Sequence, residues 1–168
     1  KFLMIEDKIS NLTFKQRVTQ GLLIAPIMEE LIFRLLLREK KVYFLINTVT
    51  CTALIIVSTI TGNSISAIIF TIILGITTTI AAIHIKGFSD LYSPHTYKYL
   101  YWGSILSFGL LHGLNFRFIN NWHFLLIPFL TLPQIILGFI LSYIRVKYGI
   151  FYSVIFHFIV NTQILFTH

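Results

Sequence analysis

Two adjacent carboxylates and an arginine stand in the middle of "LIAPIMEELIFRLLL", residues 23–37, where twelve of fifteen residues are apolar. Two further apolar stretches carry polar groups: His112 in "FGLLHGLNF", and His157 with Asn161 in "FHFIVNT". On a helix, residues four apart share a face, whereas adjacent residues point about 100° apart. Glu30 and Arg34 are therefore placed to pair, and Glu29 points elsewhere, without a partner in its own helix. His157 and Asn161 share a face. Phe108 and His112 have the same spacing, which sets an aromatic ring beside the imidazole. A carboxylate with a histidine can activate water for attack on a carbonyl. A second histidine and an asparagine can donate to the oxyanion that forms. Glu29, His112 and His157 can equally hold a divalent metal such as zinc, with a position left for water. Spacing leaves both chemistries open, although no H-E-x-x-H helix is present. The plain alternative is a buried Glu30–Arg34 clip that fixes packing, with each histidine a satisfied core residue.

The elements that must position these groups read as long apolar helices. Of 168 residues, 56% are hydrophobic and 11% charged, against about 25% charged in an ordinary soluble domain. Mean hydropathy is +0.82. Six apolar segments stand out, near residues 18–37, 42–60, 65–85, 99–116, 124–144 and 150–166, with Pro128 and Pro133 expected to kink the fifth. At about 20 residues per bilayer crossing, the expected fold is all-α: a polytopic membrane helical bundle of about six transmembrane helices in the cell membrane. Residues 1–17 read as an interfacial or connecting segment and 18–168 as the core. The formal net charge of +7 sits mostly between the apolar segments, as loop charges and lipid head groups require. No basic run with interleaved aromatics favours nucleic acid. The single cysteine, Cys51, excludes an internal disulfide and a cysteine-based metal cluster.

Charges inside a bilayer cost about 2.5–3.5 kcal/mol each on insertion scales, so such groups are usually paired or functional. Depth supports one common site. Glu29 lies twelve residues before Lys41, His112 thirteen after Tyr99, and His157 and Asn161 seven and eleven after Ile150. With alternating spans, these depths agree within about 10 Å at ~1.5 Å per residue.

"EELIFR", "FGLLH" and "HFIVN", in this order, fit the patterns EExxxR, FxxxH and HxxxN. Together they resemble the CPBP intramembrane proteases, a family that includes CAAX prenyl proteases and bacterial Abi proteins linked to bacteriocin self-immunity. The resemblance covers about residues 20–165. It implies an all-helical membrane endopeptidase acting on a peptide or membrane-associated protein. By it, Glu29 and His112 would activate the water, and His157 and Asn161 would stabilise the oxyanion. Glu30, Arg34 and Phe108 would support them. The metal-free chemistry is favoured, since one histidine on each of two helices with an asparagine suits water activation and an oxyanion hole. Two rivals use the same groups: a non-enzymatic membrane-binding or immunity protein, and a proton-coupled transporter. The absence of an internal repeat speaks against the transporter.

Overall fold

A computed structural model describes residues 13–60, 92–115 and 125–163. The third expected segment, the polar break at 117–123 and the first twelve residues lie outside the described residues. All described elements are helical.

The first helical run, residues 14–37, changes winding four times. It passes from α1 (Phe14–Gln16) through a π segment (Arg17–Ile24) to α2 (Ala25–Glu29). A second π turn, Glu30–Arg34, and a 3-10 turn, Leu35–Leu37, follow. Thr13 starts the run with a capping box: its hydroxyl accepts from the Gln16 N–H, and the Gln16 side chain accepts from the Thr13 N–H. The first π segment gives way to α2 at Pro26, which has no N–H to bond backwards, so a change of register there loses nothing.

The remaining helices are α3 (Lys41–Ile60), α4 (Pro94–Leu111), α5 (Ile127–Leu130), α6 (Leu132–Lys147) and α7 (Ile150–Asn161). Helix α4 tightens into a 3-10 turn at His112–Asn115. Helices α6 and α7 form a hairpin turned at Gly149, whose φ of 114° lies in the region glycine alone enters freely. The Gly149 N–H donates to the carbonyls of Ile144 and Arg145, closing α6.

The chain divides into two compact units, Lys1–Arg34 with Tyr101–His168, and Leu35–Leu100. In the second, the hydroxyls of Tyr92 and Tyr97 donate to the carbonyls of Leu36, Arg38 and Leu37 at 3.0–3.1 Å. They help satisfy the open end of the first helical run, with the Lys40 N–H also donating to the Arg38 carbonyl. In the first unit, α6 and α7 pack on each other, and α7 packs on the first run. Helix α4 comes close to α6 at glycine: a Cβ on Gly109 would lie 3.0 Å from the backbone of Ile135, and one on Gly138 3.0 Å from the Phe108 ring.

The all-α expectation agrees with the described residues, but the bundle of membrane-crossing helices does not. Among the described residues, no helix is long and apolar enough to cross a membrane. Three of the apolar segments are broken up or short. The first is a chain of short α, π and 3-10 pieces. The fifth breaks at Thr131 (φ −95°, ψ 6°), between Pro128 and Pro133. The sixth forms a regular helix of 12 residues, about 18 Å against a hydrocarbon core of about 30 Å.

Candidate active site

The site is built from the centre outward. Glu30 is fully buried, and so is Arg34; Arg34 Nη1 donates to Glu30 Oε1 at 2.9 Å. The four-residue spacing keeps these two side chains together even though the turn between them is π. Two more donors reach Glu30 from α7. Ser153 Oγ donates to Oε2, and His157 Nδ1 lies 3.0 Å from Oε1. A carboxylate beside a guanidinium accepts only, so Nδ1 carries the hydrogen.

The Arg34 guanidinium lies over the Phe108 ring, 3.9 Å from its centroid, a favourable cation–π placement. Phe108 has no exposed surface. Phe33 meets it edge-on at 5.7 Å. Ser104, one turn earlier on α4, donates to the Phe33 carbonyl at 2.6 Å. From α6, Arg145 Nε donates to the Arg34 carbonyl at 3.0 Å.

Glu29 occupies the next position in the run and a different setting. Its side chain is 24% exposed, and its Oε2 stands 3.4 Å from His157 Nε2. That oxygen is buried and has no hydrogen-bond partner. Burial pushes the Glu29 carboxyl above the usual carboxylate range. His157 and Arg34 oppose the rise, and Glu30 adds to it.

His112 also packs on Phe108, with ring centroids 4.8 Å apart; His157 is 5.8 Å from the same ring. His112 Nδ1 lies 2.8 Å from the Phe108 carbonyl. A carbonyl accepts only, so Nδ1 carries the hydrogen and Nε2 keeps its lone pair. Burial pulls the His112 pKa below the ordinary imidazole value, against the Phe108 bond, and Arg34 pulls it further down. The lowered pKa favours the neutral ring.

The structure thus gathers Glu29, Glu30, Arg34, Phe108 and His157 in direct contact and sets His112 one ring away. Asn161, a turn beyond His157, donates through Nδ2 to the Gly21 carbonyl at 3.2 Å, which leaves its second N–H. Glu29 meets His157 rather than His112: among the described residues no ion pair joins Glu29 to His112. Glu29, His112 and His157, named for a metal, form no metal-binding group; among the described residues no three His, Cys, Asp or Glu side chains are so grouped.

Sequence reading missed Ser153, Ser104 and Arg145. A signal was present for the serines. Ser153, His157 and Asn161 recur at four-residue intervals, and so do Ser104, Phe108 and His112. Each set is one helix stripe that runs into the site. Comparison of the chain with protein-family models, curated proteins and solved structures finds no match.

Proposed function

We propose that the chain is a hydrolase that cuts peptide bonds with a water activated by Glu29. One observation carries this reading: a buried, unpartnered carboxylate oxygen stands 3.4 Å from an imidazole nitrogen whose ring is held by a second, neutralised carboxylate. A carboxyl raised above its ordinary range is a better base and a better proton carrier near neutral pH. Water adds its oxygen to the carbonyl carbon and its proton goes to Glu29, assisted by the free lone pair of His112. The oxyanion takes hydrogen bonds from Asn161 and from His157 when Nε2 is protonated. The C–N bond then breaks, and the amine leaves with the proton from Glu29.

The resemblance of "EELIFR", "FGLLH" and "HFIVN" to the motifs of the CPBP proteases supports the same reaction class. Apolar side chains facing outward from α5, α6 and α7 support a setting at lipid and a membrane-associated substrate: Phe129 is 76% exposed, Phe151 70% and Ile159 61%.

The test is cleavage of a mixed peptide pool by purified wild type and Glu29→Gln, read by mass spectrometry. Cleavage by wild type that the folded variant loses is the expected result. Equal cleavage by both removes Glu29 from the mechanism. No cleavage by wild type, with binding of a peptide retained, favours a binding or immunity protein, and proton-dependent uptake into vesicles favours a transporter.

A further inference from the structure

The hydrolytic reading uses Glu29, His112, His157 and Asn161, and leaves Ser153 without a part. Ser153 is fully buried on α7, one turn before His157. Its hydroxyl has one proton and two acceptors within reach, Glu30 Oε2 and the Leu141 carbonyl at 3.1 Å. The closer is Glu30, which is also the charged one, and a hydrogen bond to a charged acceptor is the stronger.

The groups around His157 make that choice matter. Glu29 and Glu30 face it from the first helical run and Phe108 from α4, with Arg34 on Glu30 Oε1 and His112 against the Phe108 ring. Arg145 of α6 is held on the Arg34 carbonyl. Glu30 has three donors: Arg34 Nη1 and His157 Nδ1 on Oε1, and Ser153 on Oε2. Without Ser153, Oε2 loses its one hydrogen bond, and the carboxylate is held through Oε1 alone, so its plane can turn about a terminal torsion whose wells are broad. Turning moves Oε1 off Nδ1. The imidazole then has no reason to keep its hydrogen on that side.

We propose that Ser153 is a positioning residue: by anchoring Glu30 Oε2 it fixes the tautomer of His157, Nδ1–H toward Glu30 and Nε2 toward Glu29. This deepens the hydrolytic reading and takes its catalytic meaning from it; the tautomer itself is independent of substrate.

The experiment is nitrogen-15 NMR of the full chain labelled at histidine, with the His157 signals assigned by their loss in His157→Gln. In wild type the neutral ring of His157 carries its hydrogen on Nδ1 alone. In Ser153→Ala the Nε2–H tautomer appears, and the pH profile of peptide cleavage shifts, with kcat down about tenfold, on the order of one positioning hydrogen bond. If Ser153→Ala does not fold, Ser153→Cys, of similar volume with a weak donor, makes the same comparison. An unchanged Nδ1–H tautomer in the folded variant overturns the proposal, even if wild type cleaves peptides in a Glu29-dependent way. A shifted tautomer with no cleavage by wild type upholds the role of Ser153 and removes the hydrolytic reading.

Discussion

Glu29 and Glu30 are neighbours in the chain and opposites in setting. Glu30 is fully buried and hydrogen-bonded by Arg34, Ser153 and His157. Glu29 keeps 24% exposure, yet its Oε2 is buried with no hydrogen-bond partner. The difference comes from one residue's rotation about the helix axis, which points one carboxyl at Arg34 and α7 and the other past them. A buried charge that is fully paired holds structure together. One that is incompletely paired is left with a displaced pKa, which proton chemistry requires. In the proposed hydrolase the pair would separate two jobs without separating them in sequence.

Four substitutions or titrations break or sharpen that contrast. The largest effect belongs to Glu29→Gln, which removes the proton acceptor and keeps the shape. Peptide cleavage falls about 10²–10⁴-fold, the usual contribution of a general base, while circular dichroism stays that of wild type. Next is Arg34→Met. It leaves Glu30 buried without its guanidinium, a loss of about 3–5 kcal/mol, read as a lower denaturant midpoint. If the midpoint of Arg34→Met stays within about 1 kcal/mol of wild type, the paired half of the contrast is not structural. Gly109→Ala comes third: its Cβ would lie 3.0 Å from the Ile135 backbone, and crowding of this kind costs about 1–3 kcal/mol.

The smallest effects are in pH. The folded Glu29 carboxyl titrates above its unfolded value, so its share of stability is full below the unfolded value, about 4.3. That share is lost as pH rises through the folded value. His112 is displaced downward. Its share is present above the unfolded imidazole value, about 6.5, and is lost as pH falls through the folded one. In thermal melts across pH, Glu29→Gln should lose the loss on the alkaline side and keep the loss on the acid side, and His112→Gln the reverse. Identical pH profiles for the two variants would show that neither displacement is felt by the fold.

Part of this site was legible from spacing alone. Four-residue intervals placed Glu30 with Arg34 and Phe108 beside His112, because those pairs depend only on helical repeat. The contact between Glu29 and His157 was not legible in the same way. It depends on how α7 rotates against the first run, which long-range packing decides. The π turn at Glu30–Arg34 left no mark either, since the residues of π and α turns are alike in type. The expected bundle of membrane-crossing helices failed for a related reason. Hydropathy counts apolar residues along the chain, but Pro26, Thr131 and Gly149 mark places where the winding changes, breaks or turns. Ser153 was overlooked because a small hydroxyl on an apolar helix usually bonds back to its own turn. Here it reaches Glu30 instead.

Glu30 meets His157 across 127 positions of sequence, and Asn161 meets Gly21 across 140. The site is thus tied together by partners that leave the ribosome far apart in time. At roughly 5–20 residues per second, Glu30 waits many seconds for its partners Ser153 and His157, because α7 does not yet exist. Contacts this distant also form slowly, because the chain between them must first be gathered. A released chain that ends at Gly149 should therefore be open to protease at the first helical run, and one that ends at Thr162 protected there.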